Sequence, residues 1–147
     1  MFRGQYTHSI DAKGRLSLPS RFRDLIAADG HQRVVVMESP FDPCLRIYPL
    51  AAWERFEAQL AKTSAFEAKS MRFRRMISSA TDCEIDGTGR VLIPAQMRER
   101  ARLEKEVFCV GMIEFIELWT KSAFEDAVKT DAAGLDEVRA SLEQLGL

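Results

Sequence analysis

Two aspartate–arginine pairs are the residues of this sequence whose types and spacing are best suited to chemistry. Asp11 precedes Arg15 by four positions, and Asp86 precedes Arg90 by the same interval. An arginine side chain is a planar fork of N–H donors that can bind two acceptors at once, on a phosphate group or on the edge of a guanine base. The same arginine can instead pair with the aspartate and fix a turn, which contributes little energy at a protein surface. Both interpretations apply to each copy.

The two pairs belong to an internal duplication. Residues 8–19 return as residues 83–94, with Asp, Gly, Arg and Pro in the same register 75 positions later. A turn of this kind requires glycine but does not require arginine, so an arginine at the same place in both copies favours a shared role. That role is either structural or a contact with nucleic acid.

Elements of secondary structure must position these pairs. Apolar residues alternate with polar ones around each turn, so each copy predicts a strand, a turn and a second strand. Gly14 and Gly89 end the turns, where glycine adopts dihedral angles that other residues resist. Pro19 and Pro94 then suit the first turn of a helix, because their missing N–H is not needed there.

Further elements follow in both halves. Strands are predicted at about residues 34–37 and 44–48, and again at about 107–110 and 115–119. A helix is predicted from about residue 49. Because two repeats this short would hardly be stable apart, we expect them to share one core. The sequence therefore predicts an α+β fold made of two β-hairpin/helix repeats with peripheral helices.

Helix ends are predicted from local patterns. Ser64 with Glu67, and Ser122 with Glu125, form two S-x-x-E capping boxes, each expected to open a helix. The first of these helices connects the repeats. The C-terminal tail spaces apolar residues by three and four positions, which predicts an amphipathic helix; these residues are Leu135, Val138, Leu142 and Leu145.

Charge is balanced over the whole chain but uneven along it. The 147 residues hold 21 basic and 22 acidic side chains, a formal net charge of −1, which excludes nonspecific coating of DNA by global charge. Residues 1–23 carry five basic side chains against Asp11 alone, and residues 120–147 carry three basic against six acidic ones. Arg72, Arg74 and Arg75 form a basic run on the connecting helix, either its solvated face or a second contact with DNA. The balanced net charge does not exclude a local basic surface.

Several classes of protein find no support. The sequence shows no Cys/His spacing for a metal, no G-x-S-x-G pattern and no phosphate-binding glycine-rich loop, so we expect no catalytic site, metal or cofactor. Cys44, Cys83 and Cys109 are odd in number and widely spaced, which fits a reducing compartment, and Cys109 is expected in the core. No apolar run is long enough for a membrane span and no signal peptide is visible. We expect a cytoplasmic protein.

The chain resembles the MraZ family of bacterial transcriptional regulators, whose repeats belong to the AbrB-like swapped-hairpin group. The matching segments are residues 1–4, 10–19, 72–80 and 85–94, followed by the pattern Gly111, Glu117 and Trp119. The match extends over about residues 1–130. It implies a first AbrB-like repeat at 1–62, a connecting helix at 63–79 and a second repeat at 80–130. The acidic helical tail at 131–147 lies outside the match and is expected from its own sequence pattern.

The resemblance also implies a function. It implies that the two repeats share one small β-barrel core, that the chain forms a ring-shaped homo-oligomer, an octamer or dodecamer, and that it acts at the nucleoid. The implied partner is double-stranded DNA with tandem direct repeats, in the promoter of the cell-division and cell-wall gene cluster that includes its own gene. Family contacts with DNA carry over onto Lys13 and Arg15 first, then onto Arg3 and Arg90. Because Thr88 stands where the first copy has Lys13, the first copy is the stronger candidate.

One alternative stays open at this point. A protein of the same AbrB-like fold can be a protein–protein module, an antitoxin-like partner or a ring scaffold, in which the arginines hold subunits together. Binding to promoter DNA that weakens with salt distinguishes the regulator from the scaffold.

Overall fold

The chain forms eight β-strands and six α-helices over the part that this computed structural model describes, residues 1–28 and 30–147. The first half contains β1 (Gln5–Ser9), β2 (Arg15–Ser17), α1 (Ser20–Ala27), β3 (Arg33–Glu38), β4 (Leu45–Pro49) and α2 (Leu50–Ala61). A connecting helix, α3 (Ala68–Met76), leads into the second half. That half contains β5 (Thr81–Glu84), β6 (Arg90–Leu92), α4 (Ala95–Arg100), β7 (Glu106–Met112), β8 (Phe115–Trp119) and α5 (Lys121–Asp131). A short 3-10 helix (Ala132–Gly134) precedes α6 (Leu135–Gln144), so the expected strands and helices are all present.

The strands exchange partners between the two halves. Six of them form one antiparallel sheet in the order β1-β7-β8-β4-β3-β5, and β2 pairs with β6 in a separate two-stranded sheet. The first strand of each repeat therefore pairs with the third strand of the other repeat. Exchanging the repeats reverses the sheet order and leaves it unchanged, which indicates a pseudo-twofold axis between them.

The register of the strands locates that axis. Leu16 faces Val91 across β2 and β6, and these residues are equivalent in the two repeats. Arg46 faces Glu117 across β4 and β8, where the segments 46–48 and 117–119 are likewise equivalent. The axis passes through both pairs. A charge of one sign thus meets its opposite where a perfect repeat would oppose like charges.

One core is shared by the two repeats. The β2–β6 pair and helices α1 and α4 cover the inner face of the large sheet. The fully buried side chains of this core include Leu16, Leu18, Phe22, Val91 and Ile93. Helix α2 covers the outer face over β3 and β4 through Trp53, and α5 covers it over β7 and β8 through Phe124. Cys109 lies in the inner core as expected, and burial raises the pKa of its thiol to about 12.

The expected closed barrel is not found among the described residues. β1 and β5 are the two edges of an open six-stranded sheet, and no ladder joins them. The strands that could close it, β2 and β6, have three residues each and pair with one another. Only single bridges, Ile10 to Leu16 and Ile85 to Val91, connect the two sheets. The shared core is confirmed and the closure is not.

The predicted capping boxes are wrong. The Ser64 hydroxyl accepts the N–H of Phe66 at 3.2 Å in a turn, and α3 begins only after Glu67 without a side-chain cap. At α5 the N-cap is Thr120, whose hydroxyl accepts the N–H of Ala123 at 3.2 Å. The helix starts directly after β8, so Ser122 already lies inside it. No helix among the described residues combines the length and apolar character needed to cross a bilayer.

Candidate nucleic-acid interface

The first turn is built around the carboxylate of Asp11. Its Oδ1 accepts the backbone N–H groups of Lys13 and Arg15 at 2.9 and 3.0 Å, and its Oδ2 accepts Nε–H of Arg15 at 2.7 Å. Gly14 closes the turn with φ of +87°, and its N–H donates to the Asp11 carbonyl at 2.9 Å. One aspartate therefore shapes the turn and also holds one edge of the arginine.

The second turn repeats this geometry. Oδ1 of Asp86 accepts the backbone N–H groups of Thr88 and Arg90 at 2.9 and 3.0 Å, and Oδ2 accepts Nε–H of Arg90 at 3.0 Å. Gly89 has φ of +79°. The Thr88 hydroxyl donates to Oδ1 of Asp86 at 2.8 Å. The residue that replaces Lys13 is thus directed into the turn rather than away from it.

Hydrogen bonds lower the pKa of both carboxylates, so Asp11 and Asp86 stay ionised well below neutral pH. The backbone N–H of Arg15 does most to lower the pKa of Asp11, helped by the Arg15 side chain and the N–H of Lys13. The backbone N–H of Arg90 lowers the pKa of Asp86 further below its usual range, together with both donors of Thr88. Each arginine therefore faces a fixed negative charge on one edge.

The two turns lie side by side. Nη1 of Arg90 is 3.8 Å from Oδ2 of Asp11, and the flanking strands β2 and β6 are paired. About a third of the side-chain surface of Arg15 and of Arg90 is exposed. Within the described residues, no hydrogen bond engages the Nη groups of either arginine. The outer edge of the Arg15 fork is therefore available to a ligand with paired acceptors, and that of Arg90 is held only by its ion pair with Asp11.

A second pair of arginines reaches across the axis. A Cβ built on Gly14 would lie 2.6 Å from Cζ of Arg98, and one built on Gly89 would overlap the side chain of Arg23. Nε of Arg98 donates to the carbonyl of Ile93 at 3.0 Å, whereas Nε of Arg23 is buried without a hydrogen-bond partner among the described residues. Helix α1 thus places Arg23 against the second turn, and helix α4 places Arg98 against the first.

Five cations consequently surround two carboxylates at the paired turns: Lys13, Arg15, Arg23, Arg90 and Arg98. We call this set the turn surface. In the sequence analysis Arg23 is only one of the five basic side chains of residues 1–23, and Arg98 was missed. The signal was available, because Arg98 follows Arg23 by the same 75 residues that separate the two turns.

The other candidate residues lie away from the turn surface. Arg3 is exposed at the opposite end of β1, where Phe2 bridges Ile113. Arg74 donates through Nη2 to the carbonyls of Leu60 and Thr63 at 3.3 Å, which ties α3 to the C-terminal end of α2. Arg72 and Arg75 are exposed on the same helix, and the chain that leaves α3 packs on the outer face of the sheet. The turns lie on the inner side.

These observations define a class of protein: two swapped β-hairpin repeats that present a doubled aspartate–arginine turn on a cationic surface. Comparison of sequences gives the family. The profile of the family described as "MraZ protein, putative antitoxin-like" matches residues 1–75 and again residues 76–144. The chain belongs to the MraZ family, as its resemblance implied, and this membership in a non-enzymatic family confirms that it is not an enzyme.

Individual relatives match over nearly their full length. The chain is 39% identical over 146 residues to the "Transcriptional regulator MraZ" of Pseudomonas savastanoi pv. phaseolicola, and this alignment covers 99% of this chain and 97% of that protein. It is also 39% identical over 138 residues to the protein of that name from Pseudomonas aeruginosa, covering 93% and 91%.

Proposed function

We propose that the chain is a sequence-specific DNA-binding transcriptional regulator that represses its own cell-division and cell-wall gene cluster. The observation that carries this proposal is the turn surface, where both aspartate–arginine turns and two further arginines converge. The names of the relatives, which are those of a transcriptional regulator, support it. Such a protein acts in the cytoplasm, at the nucleoid, and needs no cofactor.

The geometry of the turn supports a separate role in DNA binding for each of its parts. Asp11 and Asp86 hold the Nε edges, so the guanidinium groups of Arg15 and Arg90 are oriented before DNA arrives. An oriented fork loses less side-chain freedom on binding. Its Nη edge suits the paired acceptors of guanine or of a phosphate, and the exposed ammonium of Lys13 suits a single phosphate.

One chain offers too few cations to bind tightly. Nonspecific affinities of proteins for DNA are roughly 10⁻⁴ to 10⁻⁶ M at physiological salt, and this chain has a net charge of −1. We therefore propose a ring-shaped homo-oligomer, an octamer or dodecamer, that binds tandem direct repeats in the promoter. Once one subunit is bound, its neighbours meet DNA at high effective concentration, which can raise the affinity by roughly 10²- to 10⁴-fold.

The test is a gel-shift titration with the DNA just upstream of the gene, repeated at several salt concentrations. Arg15→Ala is expected to weaken binding by about 1–3 kcal/mol if Arg15 contacts a base, or to reduce the salt slope by about one unit if it contacts phosphate. Arg90→Ala is expected to cost less, because Thr88 leaves the second turn without the lysine. Arg55→Ala, an exposed arginine of α2, is the matched control.

Thermal melting of the same variants separates a lost contact from a lost fold. A wild-type protein that does not bind the promoter, or an Arg15→Ala variant that melts early and binds normally when folded, would contradict the proposal. Equal or larger loss at Arg90 would reverse the ranking of the two turns. Arg3 and the arginines of α3 remain proposed contacts, and we expect each to matter less than Arg15 because they lie away from the turn surface.

The second candidate function is a protein–protein module without DNA binding. It is favoured by the ion pairs of Arg15 and Arg90 with the aspartates, since those contacts already give both arginines a structural role. An assembled protein with no salt-sensitive affinity for its promoter would support this candidate.

A further inference from the structure

The C-terminal helix α6 leaves its apolar stripe uncovered. Leu135, Val138, Leu142 and Leu145 follow one another at spacings of three, four and three residues, which places them on one side of the helix. All four are exposed, and among the described residues none of them belongs to a core cluster. The described part of a single copy therefore leaves this stripe without a buried apolar partner.

An uncovered stripe on so short a helix calls for a partner. Isolated helices shorter than about 12–15 residues are marginal in water, and α6 has ten residues. Most helix stability in proteins comes from packing an amphipathic face against other groups. The partner must therefore offer an apolar surface of similar length.

The chain itself carries such a surface on α3. Phe73 and Met76 share one side of that helix and are 42% and 37% exposed, and Phe66 is fully exposed just before it. Lys69 and Arg72 flank these side chains, with Nζ of Lys69 lying 5.9 Å from the centre of the Phe73 ring. We call these five residues the α3 face.

The charges of the two surfaces are complementary. Helix α3 contains four basic residues and no acidic one. Helix α6 contains Asp136, Glu137 and Glu143 against Arg139. Nine and ten residues of helix are also similar in length, about 15 Å each. An acidic stripe and a basic stripe of equal length fit each other better than either fits a copy of itself.

The duplication makes α6 of the second repeat the counterpart of α3 in the first. Helix α6 follows α5 in the second repeat as α3 follows α2 in the first. After α3, however, Ile77 and Ala80 pack on the outer core beside Trp53, which fixes α3 to the sheet. Side chains of α6 join no core cluster. The two helices thus hold equivalent places in the order of elements, but α3 is anchored to the sheet and α6 is not.

We propose that α6 of one copy docks on the α3 face of a second copy. The contact is head-to-tail, because the two surfaces are different, and repeated contacts of this kind close into a ring when the rotation between copies permits. The inference deepens the proposed ring by assigning its interface. It does not depend on DNA binding.

The test measures the mass of the full-length protein by light scattering after gel filtration, at micromolar concentration and without DNA. One variant reverses charge on α3, with Lys69→Glu and Arg72→Glu, and a second reverses it on α6, with Glu137→Lys and Glu143→Lys. Each alone should raise the concentration needed for assembly at least about tenfold, because like charges then face each other. The mixture of the two variants should restore the wild-type mass, since every contact again joins opposite charges.

Matched controls separate the interface from general effects of charge or polarity. Reversing Arg21 and Lys105, two exposed cations outside the α3 face, should leave the mass unchanged. Leu142→Ser should impair assembly, whereas Leu92→Ser, at a leucine that is 56% exposed near the turns, should not. Circular dichroism of each variant checks that it is folded.

Several results would overturn the inference. A wild-type mass of 16.7 kDa would show that neither surface joins copies. Loss of assembly only in the α6 variant would indicate that α6 pairs with itself or with another surface. A mixture that stays dissociated would exclude the proposed pairing. Failure of the proposed DNA binding is a separate result, because it would leave the mass of the protein unchanged.

Discussion

At the scale of single residues, each turn depends on an aspartate that performs two tasks. Asp86 accepts two backbone N–H groups through Oδ1 and holds Nε of Arg90 through Oδ2. The same carboxylate therefore determines the path of the backbone and the direction of the arginine. Alanine at the arginine removes only the second of these, which is why binding and folding can be separated there.

Replacing this carboxylate should have an effect that depends on pH. An aspartate has a pKa of about 3.9 in the unfolded chain, and the pKa of Asp86 is lower than that in the folded protein. Its ionised form therefore stabilises the fold fully above about pH 5, and this contribution is lost as the pH falls through the lower folded pKa. Asp86→Asn should reduce the melting temperature at pH 7, and the difference from wild type should shrink below about pH 4.

Melting curves from pH 7 to pH 2 check this prediction. Glu57→Gln, an exposed carboxylate on α2, is the control and should change the melting temperature little at any pH. A difference between Asp86→Asn and wild type that is equally large at pH 2 would show that the charge of Asp86 is not what stabilises the turn.

Two glycines with similar backbone angles separate strain from contact. Gly89 and Gly30 have φ of +79° and +74°, so alanine at either should cost roughly 1–2 kcal/mol of stability. Only at Gly89 does the added methyl overlap Arg23; at Gly30 no described atom lies within 4 Å. Arg23 is flexible and can move, so Gly89→Ala should also displace it from the turn surface.

Gel-shift titrations of the two variants check this difference. Gly89→Ala should reduce the salt slope of DNA binding by about one unit, and Gly30→Ala should leave it unchanged. If both variants bind DNA as wild type does, Arg23 is not part of the interface.

At the scale of elements, the repeats place their helices by different means. Helices α1, α2 and α4 follow prolines at the N-cap position and have no side-chain cap. Helix α5 follows Thr120, whose hydroxyl accepts the N–H of Ala123. The second repeat, whose final helix α6 is not anchored, thus begins α5 with an additional hydrogen bond.

The Thr120 cap predicts the outcome of two substitutions. Thr120→Ala should lower the free energy of unfolding by about 0.5–2 kcal/mol, because one N–H of the first helical turn loses its acceptor. Ser122→Ala should cost less, since Ser122 lies inside the helix. Urea denaturation of both variants measures this. A larger loss at Ser122 would restore the capping box that the sequence predicted.

At the scale of the whole molecule, the pseudo-twofold axis brings the two turns together and fixes the centre of the sheet. Across that axis Nη2 of Arg46 lies 3.2 Å from Oε1 of Glu117, and Oε2 of Glu117 accepts Nε1–H of Trp119 at 3.0 Å. Because Glu117 is buried, both its oxygens need these donors. The duplication has thus become asymmetric at its centre, while the turns have kept both arginines.

A ring that presents the turn surface repeatedly should depend on the phase of its operator. Subunits in a ring meet one side of a duplex in the same orientation, so direct repeats should lie about one helical turn, about 10 base pairs, apart. Inserting half a turn between two repeats should reduce the affinity towards that of one repeat, and inserting a full turn should reduce it less. Gel shifts on the three operators check this, and a harmless half-turn insertion would contradict avidity through a ring.

The sequence by itself determined the duplication, the two turns and the location of nearly every strand and helix. It could do so because turns, alternation and helical spacing are local patterns, as for Asp11 with Gly14 and for the strand Phe115–Trp119. Capping at Thr120 escaped it, because two hydroxyl residues two positions apart, Thr120 and Ser122, compete for the N-cap position and the end of β8 decides between them.

Only the tertiary structure decided which parts of the two repeats meet. Contacts such as Arg98 on Gly14 and Arg23 on Gly89 join residues far apart in the chain, and equal spacing shows that residues are equivalent without showing that they are close. The structure likewise showed that Arg3 lies far from the first turn, although the two are close in sequence. The extended strand β1 lies between them and carries the chain away by about 3.3 Å per residue. The large sheet stays open, because the backbone hydrogen-bonding groups of β2 and β6 pair with each other.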